Sequence, residues 1–187
     1  MILLIRHGES LANAGITTDN HITIPLTAKG YQQAYNVSLE ISVKPDLIIT
    51  SSFTRAIETA RNTVEKYENA KVETWMVEEF TYLEPTACVG KSVEDIRKKV
   101  TAYWDLLDPY YKDGENAESF VMVLERARAV YQKLILLQDK YVLIFSHAQF
   151  IKVLILLRDY PNYGILEMMA KFTQLPHIEN CQIINYL

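Results

Sequence analysis

Short, all-apolar runs at Ile2–Ile5, Leu47–Ile49 and Val142–Phe145 punctuate the chain, and each is followed by a stretch with helical spacing. A strand with one face in water alternates apolar and polar residues, so runs this uniform fit strands buried on both faces of a parallel sheet. Ala28–Ile41 and Phe53–Tyr67 have helical periodicity, and in the second Ala56, Ala60, Val64 and Tyr67 fall along one stripe. Ser92-Val93-Glu94-Asp95 has the form of a capping box opening a helix, with Ile96, Val100, Tyr103 or Trp104, and Leu107 as its apolar face. Another long helix is predicted from Glu118 to Gln138, and Cys181–Leu187 alternates enough to form a final strand at a sheet edge. The β-α-β-α order gives an α/β fold, three-layer α/β/α with a mostly parallel central sheet. About ninety residues separate the second and third apolar runs, so the middle of the chain is expected to add a small helical cap insertion beside the sheet.

Composition narrows the function classes. At 187 residues, 49% hydrophobic, the chain is long enough to bury one full core, and it shows no repeat, low-complexity tract or run of like charge that would mark a linker. A net charge of -4 argues against a broad nucleic-acid or anionic-membrane surface, so any positive site must be local. The opening Met1-Ile2-Leu3-Leu4-Ile5 is too short for a signal peptide or membrane span, and a cytoplasmic location is expected. Cys88 and Cys181 form no Cys-x-x-Cys pair and are read as reduced thiols. Asn36-Val37-Ser38 matches a glycosylation acceptor by chance in this context.

Position carries the chemistry. Arg6-His7-Gly8-Glu9 ends the first apolar run, Ser51-Ser52-Phe53-Thr54-Arg55 follows the second, and Ser146-His147 ends the third. The carboxyl ends of parallel strands form the crevice where ligands sit, which brings these residues together despite their separation in sequence. Each residue alone is ordinary: a strand-end His is usually structural, and Arg55 could sit on a helix surface. Their conjunction at one edge makes an anion site, because a guanidinium forks onto phosphate oxygens and keeps its charge at any working pH. Backbone N–H groups at the helix starts near Ser51 and Ala148 add donors.

These residues resemble the histidine phosphatase superfamily, which includes the cofactor-dependent phosphoglycerate mutases. Leu4-Ile5-Arg6-His7-Gly8-Glu9-Ser10 with Asn13 is similar to the family's signature. Pro25-Leu26-Thr27 with Gly30 and Gln33-Ala34, Ser51-Ser52 with Arg55 and Thr59-Ala60, Gly114-Glu115 with Ser119-Phe120 and Arg126, and Phe145-Ser146-His147 follow in the family's order. The resemblance covers nearly the whole chain as one domain, residues 1–187, with the cap at roughly 78–117. It implies a phosphomonoester hydrolase in which His7 attacks phosphorus and Arg6, Arg55 and His147 bind the phosphoryl oxygens, with Asn13 and the Ala148 backbone helping to hold them. No metal or cofactor is implied, and charge is carried by fixed cations. Water then hydrolyses the phosphohistidine. The family's general acid follows the strand that precedes the cap, where Val77-Glu78-Glu79-Phe80 stands; Glu79 is the candidate, with Glu78 and Glu84 nearby. Thr81 to Gly90 departs from the family's Gly- and Trp-containing pattern, and Ala148-Gln149 replaces glycines common in relatives, which makes the Gln149 side chain a candidate ligand contact.

Rival chemistries fail on spacing. Gly90-Lys91-Ser92 lacks the glycine of a P-loop, whose place Pro85 holds. A cysteine-dependent phosphatase needs an Arg at a fixed distance after its Cys, where Glu94 follows Cys88 and the terminal Leu187 follows Cys181. His7, His21, His147 and His177 show no short ligand spacing for a metal. The 12 tyrosines come without the basic stripe that stacking on nucleic acid needs. The expected partner is therefore a small phosphate ester or a phosphoprotein, with no nucleic acid and no membrane. The remaining alternatives are a phosphomutase using the same phosphohistidine and a non-catalytic module that binds a phosphorylated ligand.

Overall fold

The computed structural model describes residues 1–16, 18 and 20–187. Among these, the elements run β1 (Ile2–Arg6), α1 (Ala28–Glu40), β2 (Leu47–Thr50), α2 (Thr54–Lys66), β3 (Lys71–Thr74), α3 (Pro85–Cys88), α4 (Val93–Leu106), α5 (Phe120–Ile135), β4 (Val142–Ser146), α6 (Ala148–Asp159), α7 (Ile165–Phe172) and β5 (Ile183–Asn185). The strands form one sheet in the order β3-β2-β4-β1-β5, parallel throughout except for β5, which pairs antiparallel with β1. The α/β class and the mostly parallel sheet follow the sequence expectation.

Strand side chains alternate between two faces, and both are buried. Ile2, Leu4, Leu47, Ile49, Val142 and Ile144 pack in one cluster with Val123, Leu124 and Ala127 of α5 and Phe150, Ile151 and Leu154 of α6. Ile5, Ile48, Leu143 and Phe145 pack in the other with Val37 of α1, Ile41 and Ala60 of α2. Helices thus cover both faces of the sheet. The stripe expected on α2 is the buried one: Ala56 and Ala60 are inside, and Val64 and Tyr67 pack partly buried against the same cluster.

Three local readings, two on α4 and one on the final strand, need correction, and one strand carries no mark in the sequence. β3 has no apolar run because it is an edge strand, with Lys71 paired to Glu73 on its exposed surface. Ser92 does cap α4, accepting the Asp95 N–H at 3.1 Å, but the Asp95 carboxylate takes the Ser92 hydroxyl at 2.7 Å rather than a backbone N–H, so the capping box is half formed. Leu107 lies beyond the apolar face of α4; it is the C-cap, in the left-handed region at φ 47°, and is 39% exposed. The final strand is confined to Ile183–Asn185, since Cys181 at φ 59° breaks the extended backbone. α3 and α7 stand where the sequence pattern placed no element, α7 buried through Met168, Met169 and Phe172.

The loop after β1 is locked to the start of α1 by backbone contact. The Thr27 N–H donates to Glu9 O at 2.8 Å, Thr27 Oγ1 caps the helix by accepting the Gly30 N–H at 3.0 Å, and the Glu9 N–H donates to Gln33 Oε1 at 2.8 Å. A Cβ on Gly8 would lie 2.7 Å from Gly30 O, and one on Gly30 would run into the Glu9 carbonyl. Gly30→Ala is therefore expected to destabilise the protein by about 1–3 kcal/mol, the usual range for overpacking against atoms that cannot move. Thermal unfolding checks this, and an unchanged melting temperature would mean the Glu9 loop is free to yield.

Candidate active site

The parallel strands β1, β2 and β4 end side by side, with the His7 N–H donating to Ser146 O at 2.9 Å and the Ser51 N–H to Phe145 O at 3.1 Å. Arg6, His7, Ser51, Arg55 and His147 are all buried there, at 7% exposure or less.

His7 is held in one tautomer. Its Nδ1 lies 2.7 Å from Gly8 O, a carbonyl that can only accept, so Nδ1 carries the proton and Nε2 keeps its lone pair. Arg55 Nε donates to that Nε2 at 3.2 Å. Burial, and after it the Arg55 guanidinium, push the His7 pKa down to about 3, with the Gly8 bond acting in the opposite sense. The Gly8 N–H donates to Thr59 Oγ1 at 2.9 Å, and that hydroxyl donates to Arg55 O at 2.6 Å, so α2 holds the His7 loop and Arg55 together.

His147 lies against His7, ring centroids 5.1 Å apart, with its Nε2 2.8 Å from Ser51 Oγ. Burial, then Arg55 and His7, lower its pKa well below the ordinary range. Ser51 Oγ accepts the Phe53 N–H at 3.1 Å, and when its own proton is given to His147 Nε2 the protonated ring nitrogen is Nδ1. That Nδ1 and Arg6 Nε are buried with no hydrogen-bond partner among the described residues. Buried donors are nearly always paired, and these two are the kind an oxyanion satisfies.

Burial lowers the Arg55 pKa to about 10, which still leaves it charged at neutral pH, and its Nη1 donates to His21 O at 2.7 Å. Arg6 Nη1 donates to Ile178 O at 2.5 Å and to His177 Nε2 at 3.3 Å. The segment around Ile178 also supplies Asn180, whose Nδ2 donates to His7 O at 3.0 Å and to Asn13 Oδ1 at 3.1 Å. Asn13 Oδ1 further accepts from Ser10 N at 3.3 Å and Ser10 Oγ at 3.1 Å. With its oxygen so engaged, Asn13 has its NH₂ left to donate. Ser51 as the His147 partner, Asn180 and Ile178 were not legible in the sequence; the last two are loop residues near the C-terminus with no pattern to mark them.

The three candidate acids separate by environment. Glu84 caps α3 and is committed, accepting from Thr86 Oγ1 at 2.9 Å, Asn116 Nδ2 at 3.1 Å and Asn116 N at 2.8 Å. Glu78 accepts the Ser52 hydroxyl at 2.9 Å and lies 3.7 Å from Arg126. Glu79 stands at the start of α6, its Oε1 accepting the Gln149 N–H at 3.0 Å and the Phe80 N–H at 3.1 Å. The residue keeps some solvent contact, but its carboxyl is deep, and burial raises its pKa against the opposing charges of Arg55 and Arg6. Arg126 fixes this stretch of chain by donating to Met76 O at 3.1 Å and Glu78 O at 3.0 Å while gripping Glu118 through two nitrogens. Ala148 opens α6, buried beside His147.

A family model of the histidine phosphatase superfamily (branch 1) matches residues 2–183, and the chain belongs to that superfamily. It is 35% identical to the 2,3-bisphosphoglycerate-dependent phosphoglycerate mutase 2 of Arabidopsis thaliana over 114 residues, 59% of this chain and 34% of that protein. It is 46% identical to the adenosylcobalamin/alpha-ribazole phosphatase of Escherichia coli over 59 residues, 31% of this chain and 29% of that protein. These two matches thus span about a third of the relatives' length. Among solved structures, a mycobacterial glucosyl-3-phosphoglycerate phosphatase superposes with a TM-score of 0.74 at 20% identity, covering 97% of this chain and 87% of the other. A putative alpha-ribazole-5'-P phosphatase from Escherichia coli gives 0.70 at 25% identity, covering 90% and 83%.

The His7 environment has a consequence for acid stability. In the unfolded chain the ring titrates near 6.5, whereas in the fold it does so at about 3, so between these values the unfolded state binds more protons. Native stability is therefore expected to fall as pH drops through that window, with His7 itself staying neutral. Nitrogen-detected NMR of the imidazoles at about pH 5 should show His7 as the neutral Nδ1–H tautomer. A charged His7 ring at that pH would contradict the assignment.

Proposed function

We propose that this chain is a phosphomonoester hydrolase that works through a phosphohistidine on His7 and needs no metal. The observation that carries the reading is the neutral, tautomer-locked His7 with its Nε2 set between buried cations. In the first step Nε2 attacks phosphorus, the bond from phosphorus to the ester oxygen breaks, and Glu79 gives its proton to the departing alkoxide. In the second, water attacks the phosphohistidine, Glu79 takes the water proton, and inorganic phosphate leaves with His7 restored. Arg6, Arg55, His147, Asn13 and the Ala148 N–H hold the phosphoryl oxygens through both steps, supplying charge stabilisation already in place before reaction. The raised pKa of Glu79 favours the protonated form that the first step uses. Residues 78–117 act as the cap over this site within a single domain. Relatives and structural neighbours named as phosphatases of alpha-ribazole phosphate and glucosyl-3-phosphoglycerate favour a small phosphorylated metabolite as substrate. The mutases among the relatives would use the same phosphoenzyme, and release of inorganic phosphate rather than transfer to a second hydroxyl separates the two outcomes.

Hydrolysis of a chromogenic aryl phosphate in excess chelator is expected for the wild type and is expected to disappear in His7→Ala; loss of wild-type turnover to chelator would refute metal independence. Glu79→Gln is expected to slow alkyl phosphate hydrolysis by about 10²- to 10⁴-fold and to affect the aryl ester far less, because a phenolate leaves without a proton. Since Glu79 must be protonated, the alkyl reaction of the wild type should decline as pH rises through the raised Glu79 pKa, and that alkaline limb should be absent for the aryl ester. Equal losses on both esters would remove Glu79 from the acid role.

A further inference from the structure

Two cavities flank the phosphate site. One, about 540 Å³, runs between the residue 12–22 loop and the cap and borders the site through His21, whose carbonyl holds Arg55. None of the residues whose N–H or O–H groups bond to Glu79 lines it. The other, about 400 Å³, is lined by Gln149, whose N–H binds the Glu79 carboxylate at 3.0 Å. Tyr82 and Lys152, which line this second cavity, both feel the Glu79 charge, so an oxygen protonated by Glu79 has this cavity beside it.

The second cavity has an unusual lining for a phosphate enzyme. Trp104 is stacked on Phe172 at 5.0 Å and 21°, and Tyr82 leans on Trp104 at 5.2 Å. Lys152, one turn after Gln149 on the same face of α6, lies over the Phe172 ring at 5.7 Å and donates to Leu175 O at 3.2 Å. It makes no ion pair with a carboxylate among the described residues, so it keeps a charge and two N–H groups to offer. Burial lowers its pKa, partly offset by Glu79. Aromatic walls favour a flat ring over a polyol of equal size, and the half-buried Lys152 ammonium, in a lining that also includes Asp105, favours an acceptor on that ring.

Resting on the hydrolase reading above, we propose that this cavity receives the leaving group and selects a planar aromatic or heteroaromatic alcohol bearing a carbonyl or carboxylate, packed against Tyr82 and Trp104 and bound by Lys152. The test compares benzyl phosphate, cyclohexylmethyl phosphate and 3-carboxybenzyl phosphate, whose alcohols differ little in basicity. The wild type is expected to favour benzyl over cyclohexylmethyl phosphate in kcat/KM by about three- to tenfold, and the carboxylate to add a further gain of similar size. Trp104→Leu should bring the first ratio close to one, and Lys152→Met should abolish the gain from the carboxylate. Ratios that stay the same in both variants, or a wild type that hydrolyses cyclohexylmethyl phosphate as well as benzyl phosphate, would overturn the proposal.

Binding is read independently of turnover, and of whether Trp104→Leu folds, from tryptophan emission in Trp75→Phe, where Trp104 is the only indole left. Benzyl phosphate should change that emission at concentrations where cyclohexylmethyl phosphate does not; equal responses would also count against the assignment. If the wild type hydrolyses none of the three esters nor the aryl phosphate, the hydrolase reading fails, while this emission signal still decides whether the cavity takes a ring.

Discussion

The hydrogen bond from His7 Nδ1 to Gly8 O, at 2.7 Å, is the constraint on which the site depends. An imidazole has one lone pair to give, and this bond decides that it lies on Nε2, facing Arg55. It also explains why the surrounding backbone is so tightly specified. Gly8 can turn its carbonyl back on the ring only because it lies flat against Gly30, and Gly30 can sit there only as a glycine. Thr27, Glu9 and Gln33 then fasten the loop to the first turn of α1. These residues form one mechanical unit, with the His7 tautomer as its product.

Electrostatics complete the arrangement. Arg6, Arg55 and two histidines share a buried space, and mutual repulsion together with desolvation keeps both imidazoles neutral while the guanidinium groups stay charged. In the proposed reaction a neutral imidazole among fixed cations would meet an anionic ester already oriented. The cations are anchored through carbonyl oxygens, His21 O for Arg55 and Ile178 O for Arg6, so none of their charge is spent on a carboxylate at those contacts. Glu79 acts on both of them and Glu179 on Arg6, and the burial of Glu79 works against its own ionisation.

The strands of the central sheet could be read from the sequence because each is buried on both faces and leaves an unmixed apolar run. β3 could not, since an edge strand with Lys71 and Glu73 carries no such signal, and α7 was hidden because its buried Met168, Met169 and Phe172 occupy a short segment with no side-chain N-cap. Arg6, His7 and His147 at strand ends, and Arg55 in the first turn of the helix after β2, were legible as one group from their positions alone. Asn180 and Ile178 were invisible: their contribution is a side-chain amide and a main-chain carbonyl delivered by the chain's return from α7 to β5, a tertiary event without local pattern. Glu78, Glu79 and Glu84, alike in the sequence, differ only in how they are packed. Glu84 is spent on a helix cap, Glu78 faces Ser52 and Arg126, and only Glu79 meets the start of α6.

The central claim is that Nε2 of His7 takes the phosphoryl group. Rapid quenching of the enzyme during turnover of an aryl phosphate, under alkaline conditions that preserve phosphoramidates, followed by peptide mapping and phosphorus NMR, tests it directly. An acid-labile phosphoryl group on His7, bonded at Nε2, is expected, with its signal absent in His7→Ala. An acid-stable phosphoryl group on Ser51 or another hydroxyl, or attachment at Nδ1 of His7, would contradict it.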